Sequence, residues 1–210
     1  IKPIALIKQS KGLTCTGAAY SLNSNNIRGD LVMKPIRTII PAAMILLCAQ
    51  TNAGDGFTPD QAFQSMLNLE GSWTGEAQVV AAGQDRSDAS VSKTSVSFKN
   101  IGNSTVMQTF AAGTPAEMVS MYHQNGKDEL IHTHYCAIGN QPSMAFVTTN
   151  ESGVIDFKFT EGTNMDVNSD AHAHHSMMKV IDENTYESRT ENWSGGKLVS
   201  IRFTTMRRDP

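Results

Sequence analysis

From Gly71 to the end of the chain, apolar and polar residues alternate in short runs that are interrupted at fairly regular spacing by turn-forming clusters. β-branched and aromatic side chains fill the runs. Asn125-Gly126, Asn150-Glu151-Ser152-Gly153, Asp182-Glu183-Asn184 and Ser194-Gly195-Gly196 separate some of them. A period of two belongs to an extended chain, whose side chains point alternately to opposite faces, and the separating clusters have hairpin chemistry. The pattern predicts strands near 73–81, 90–99, 104–111, 117–123, 129–136, 143–149, 153–159, 172–181, 185–193 and 197–206. Alternation is cleanest in Val154-Ile155-Asp156-Phe157-Lys158-Phe159 and from Leu198 to Met206, where Val199, Ile201 and Phe203 oppose Arg202 and Thr204. One face is expected to be buried and the other wet. About ten strands with no crossover helix between them favour an antiparallel meander closed on itself, since closure leaves no unpaired edge; a two-sheet sandwich is the alternative.

One segment before the strands has a helical pattern instead. Thr58 is a capping residue, Pro59 suits the first helical position, and Gln61 completes a capping box, so a short helix is expected over 59–68. Phe63, Met66 and Leu67 share its apolar face, which would pack on or plug the sheet, with Phe57 stapling the entry. The expected fold class is therefore all-β, a barrel of about ten strands with one short N-terminal helix.

Further upstream, the first methionine is Met33. Residues 1–32 show no sustained period and are expected to be an upstream extension. From Met33 the chain has a basic start (Lys34, Arg37), an apolar run over 38–49 and a short polar segment ending at Ala53. That is the make-up of a signal peptide over 33–53, cut after Ala53, with 54–210 as a single barrel domain. The apolar run is shorter than the roughly 20 residues needed to cross a bilayer, so no permanent membrane anchor is expected. The expected location is periplasmic or secreted.

Charge narrows the partners. The whole chain carries a net −3, but from Gly54 onward 11 lysines and arginines face 19 aspartates and glutamates, a net of −8. Nucleic acid is not an expected partner for such a surface. Of the three cysteines, only Cys136 lies after Ala53, which excludes an intrachain disulfide there.

The chemistry-bearing residues are concentrated late in the chain. All six histidines follow Met121: His123, then His132 and His134, then His172, His174 and His175. Residues two apart on a strand share a face, so His132, His134 and Cys136 form one set and His172 with His174 another. With both faces inward, His134, His172 and His174 would suit zinc or haem iron. The competing reading is a polar interior in which these imidazoles bond to one another, to Tyr122 or to Tyr135. His123 and His175 fall outside both sets and are expected at the surface or in packing. Cys136 near His134 raises the idea of a nucleophile, but adjacent same-face positions on one strand suit that pairing badly, and an inert thiol is expected. The sequence contains no Gly-x-Ser-x-Gly, phosphate loop, His-Glu-x-x-His or dinucleotide fingerprint, which leaves an enzyme with little support. Trp73, between Gly71 and Gly75, reads as an aromatic plug at a strand start. In the turn Asn140-Gln141-Pro142, the amides either reach a ligand at a barrel mouth or cap the turn backbone.

Gly71-Ser72-Trp73-Thr74-Gly75, Met121-Tyr122-His123, Thr133-His134-Tyr135-Cys136 followed by Gly139-Asn140-Gln141-Pro142, and His172-Ala173-His174 together resemble a bacterial family of lipocalin-like β-barrel proteins catalogued as a domain of unknown function. The resemblance implies a calycin-like barrel with a central cavity and marks His134, Tyr135, Cys136, Asn140, Gln141 and Pro142 as motif positions. It implies no activity. Ser143 departs from the motif, which leads one to expect arginine beside Met144. The resulting expectation is an exported barrel that holds a small apolar or amphipathic molecule, with Trp73, Tyr122, His134, Tyr135, Cys136, Asn140 and Gln141 as the ligand-binding set. The alternatives are a zinc or haem protein using His134, His172 and His174, and a hydrolase or isomerase using His134.

Overall fold

Thr58 and Gln61 form the capping box that the sequence predicts: the Gln61 N–H donates to Thr58 Oγ1 at 3.2 Å and the Thr58 N–H to Gln61 Oε1 at 2.9 Å. They start helix α1 (Pro59–Leu67), which buries Ala62, Phe63 and Met66, while Phe57 packs beside them. This is a computed structural model and it describes residues 56–210. The expected extension over 1–32 and the signal peptide over 33–53 lie outside the described residues.

Ten strands follow: β1 (Gly71–Ala81), β2 (Ser90–Ile101), β3 (Thr105–Phe110), β4 (Met118–Gln124), β5 (Leu130–Tyr135), β6 (Gln141–Val147), β7 (Val154–Thr163), β8 (His172–Asp182), β9 (Thr185–Ser194) and β10 (Lys197–Arg208). Each pairs antiparallel with its neighbour in sequence, and β10 returns to β1, giving a closed all-β barrel. The strands and the helix therefore fall where the hydrophobic pattern puts them, with differences of a few residues at their ends. Tight turns need backbone that most residues resist; Gly126, at φ 71° between β4 and β5, supplies one.

Because neighbours are antiparallel, the turns gather at two ends. α1 sits at the end where β1 begins and closes it. There the core is solid: Phe63, Met66, Trp73, Phe98, Leu130 and Phe157 are buried in one cluster. The Trp73 indole N–H donates to the Leu69 carbonyl at 2.9 Å, and the Tyr186 ring meets it edge-on at a centroid distance of 4.9 Å. Outside it, Arg208 lies over the indole at 4.3 Å and donates to the carbonyls of Asn68, Glu70 and Glu183. The floor is thus one aromatic plug held from helix and sheet together.

The facing of β10 corrects an expectation. Arg202, Thr204 and Met206 line the interior, whereas Phe203 faces out, under the Arg86 guanidinium at 4.3 Å. The alternation is real, but the face that carries Arg202 and Thr204 turns toward the inside of the barrel. β9 behaves alike: Ser188, Thr190 and Asn192 point inward. Irregularities in pairing at Leu198/Ser200 in β10, at Ala173/His175 in β8, and opposite Ser143/Met144, where Thr160 is left unpaired in β7, shift the phase along β10, β8 and β7.

Candidate functional site

Above the solid floor, the barrel encloses a cavity of about 530 Å³ that opens at the end opposite α1. This size lies within the range of about 300–1,000 Å³ common to small-molecule sites. Its walls differ in chemistry. β2, β9 and β10 contribute Thr94, Ser188, Thr190, Asn192, Thr204 and Arg202, whereas Phe110, Met118, Cys136 and Ile138 come from β3, β4 and the β5–β6 turn. Ile138 stands at the mouth with 65% of its surface exposed. The lining carries Lys93 and Arg202 and no aspartate or glutamate.

Register builds the histidine wall. Pairing aligns Gln108, Ser120 and His134 across β3, β4 and β5, and the next row toward the floor aligns Val106, Tyr122, His132 and Met144. The fully buried Ser120 hydroxyl lies between two imidazoles, 2.9 Å from His132 Nε2 and 3.0 Å from His134 Nδ1. A hydroxyl has one proton and two lone pairs, so it donates to at most one of the two rings and can accept from either. Burial lowers the His134 pKa to about 4. Burial, and then the charge of His134, lowers that of His132 to about 3. Both rings are neutral at pH 7, and His132 Nδ1 is buried without a partner. Tyr122 stacks on His132 at 4.4 Å and donates its hydroxyl to Gln108 Oε1 at 2.7 Å; burial raises its own pKa.

The second histidine set is a separate construction. His172 Nδ1 is 2.9 Å from the Asp170 carbonyl, which can only accept, so Nδ1 carries the proton and Nε2 accepts from His174 Nδ1–H at 3.0 Å. His174 lies between the rings of Phe159 and Trp193, at 4.8 and 4.0 Å. Burial is the main cause that lowers its pKa. His172 reaches the cavity lining and His174 does not. The structure thus does not assemble His134, His172 and His174 into a ligand set: both nitrogens of His172 are engaged and His134 Nδ1 faces Ser120. Among the described residues, no group of three or more His, Cys, Asp or Glu side chains is placed to hold a metal ion.

Of the remaining residues singled out in the sequence, Cys136 lines the cavity, with its thiol 3.8 Å from Met118 Sδ. Trp73 and Tyr122 lie below the cavity, and Tyr135 is 48% exposed. Asn140 and Gln141 make structural bonds: Asn140 Nδ2 donates to the Ala171 carbonyl at 2.7 Å, and Gln141, which begins β6, accepts at Oε1 from Thr163 Oγ1 of β7 at 2.8 Å. His175 is more than a packing residue, because it bonds Asp156 and lies 3.5 Å from Glu191; these carboxylates, Asp156 foremost, raise its pKa. The sequence reading missed the polar wall of β9 and β10. A signal was present: neutral Ser188, Thr190 and Asn192 alternate with charged Glu187, Arg189 and Glu191, so the strand has two polar faces of different character.

No protein-family model matches the chain, and no curated protein does. Several solved structures align with the chain at low identity. An uncharacterised protein of the DUF3598 family from Nostoc punctiforme is 14% identical with a TM-score of 0.49, over 69% of this chain and 48% of that one. The chain thus spans about half of the Nostoc protein's length. Rv2717c from M. tuberculosis is 15% identical with a TM-score of 0.48, over 71% of this chain and 98% of that one. A de novo designed fluorescence-activating β-barrel is 11% identical with a TM-score of 0.36, over 69% and 97%.

Proposed function

We propose that this protein is an exported, lipocalin-like barrel that carries a small amphipathic molecule in its cavity, with no permanent membrane anchor and no nucleic-acid partner. The observation that carries this reading is the roughly 530 Å³ cavity, with the hydroxyl and amide groups of β9 and β10 on one side and Phe110, Met118 and Ile138, beside Gln108 and His134, on the other. An aliphatic or aromatic body suits Phe110, Met118 and Ile138, and a polar end suits β9 and β10. The single aromatic plug at Trp73 fits the calycin-like arrangement that the sequence resembles, and export fits the signal-peptide pattern before Gly54.

A hydrolase or isomerase built on His134 is the weaker reading. A base with a pKa of about 4 accepts protons poorly near neutral pH, where catalysis favours a group titrating close to the working pH. Its hydroxyl neighbour Ser120 is fully buried and does not line the cavity.

Native mass spectrometry of the protein purified from its own host is expected to show a co-purifying small molecule that is lost on denaturation and refolding. Repeated recovery of empty protein, together with no thermal shift from added amphiphiles, would overturn the proposal.

A further inference from the structure

The arginines of the barrel differ in how their donors are used. Arg208 donates to three backbone carbonyls and stacks on Trp73. Arg189 pairs with Glu191 at 2.7 Å, and Arg86 bonds Gln78 at 2.7 Å and covers Phe203. Arg202 faces the cavity, is half-buried, and makes a side-chain bond to Thr94 Oγ1 at 2.9 Å. A guanidinium has five N–H donors and no acceptor and keeps its charge in proteins. No carboxylate lines the cavity and no ion pair involves Arg202 among the described residues. From Gly54 onward the chain is strongly acidic, yet the cavity lining carries only positive charge.

A charge withdrawn from water without a counter-ion is costly, and the fork of an arginine matches the two oxygens of one oxyanion. Resting on the cavity-binding reading above, we infer that the ligand carries a single oxyanionic head, a carboxylate or a phosphate, that docks on Arg202 against the hydroxyl-bearing wall of β9 and β10. Ser188 and Thr204, whose hydroxyls are 2.6 Å apart, and Thr190, paired with Arg202 across the strands, supply neutral donors around that head. The ligand's apolar body then runs toward Met118 and Phe110. Arg202 acts here as the specificity-determining residue, selecting among amphiphiles by charge.

Titration calorimetry with decanoate, decyl phosphate and neutral decanamide tests this on the wild-type protein and on Arg202→Met and Arg202→Lys. The expected result is that one of the two anions binds the wild type about tenfold or more tighter than decanamide. Arg202→Met should erase that preference, bringing the anions to no tighter binding than decanamide, and Arg202→Lys should keep part of it. The tighter of decanoate and decyl phosphate identifies the oxyanion. Equal binding of anions and amide by the wild type, which needs no variant, overturns the inference and leaves cavity binding intact. An anion preference that survives unchanged in a folded Arg202→Met also overturns it. Failure of all three probes to bind, at concentrations where they remain monomeric, removes both readings.

Discussion

Ser120 has one proton to give, and two imidazoles flank it. His132 and His134 therefore bear directly on the stability of the wall they form, with a definite sign. Their folded pKa values, about 3 and about 4, lie below the ordinary 6.5, so the unfolded chain binds protons more readily than the folded one. The stabilisation is fully present above about pH 6.5 and is lost as the pH falls toward the folded values, at about 1.4 kcal/mol per pH unit for each proton taken up on unfolding. Urea denaturation between pH 7 and about pH 4.5 is expected to show this decline, with a shallower slope in His132→Phe; an unchanged slope would contradict it. His175 has the opposite sign. Asp156 and Glu191 raise its pKa, so its contribution is complete below about pH 6.5 and fades as the pH rises through the raised value. Asp156→Asn is accordingly expected to cost more stability near pH 6 than near pH 9, measured by thermal melting at the two pH values. At this scale the sequence was partly legible. Spacing alone places His132 and His134 on one face, but nothing in the sequence reveals that Ser120 sits between them, since that depends on the register of β4 against β5.

Single elements show where backbone and packing leave no room. A Cβ added at Gly75 in β1 would lie 2.1 Å from the Thr205 carbonyl oxygen and 3.0 Å from Met206 Cα, both backbone atoms of β10. Gly75→Ala is expected to cost about 3 kcal/mol, the upper end for overpacking, because strand backbone rather than a side chain must yield. Thr58→Ala, which removes one half of the α1 capping box, should cost about 1 kcal/mol. Chemical denaturation of both variants gives the comparison, and a milder effect at Gly75 than at Thr58 would refute it. Hairpin chemistry and two-residue alternation were enough to locate the strands. They did not fix which face of β9 and β10 turns inward, because a barrel with a polar lumen reverses the usual rule that apolar residues mark the inside. The phase shifts at Leu198/Ser200 and Ala173/His175 have no signature in composition, so the inward position of Arg202 became visible only with the pairing in place.

For the whole barrel, the seams differ in extent. β1 and β10 pair from Trp73↔Arg208 to Ala81↔Ser200, whereas β5 and β6 pair only at Ile131↔Ala145, His132↔Met144 and Thr133↔Ser143. Native-state hydrogen exchange should therefore find β5 and β6 amides opening locally, while those of β1 and β10 exchange only with global unfolding. Equal protection at both seams would count against this. The long seam joins the first strand of the barrel to its last, and this bears on how the protein comes into being. A chain emerging from a ribosome or a translocation pore with its N-terminus first cannot complete the ladder on β1 until 197–208 has been released. Until then β1 presents one unpaired edge, and the barrel exists only as an open, curling sheet. The last strand to emerge also delivers Arg202 and Arg208, one to the cavity and one to the floor. The enclosed cavity and the sealed floor thus arrive in the same step, so a chain interrupted before its final strand would have neither.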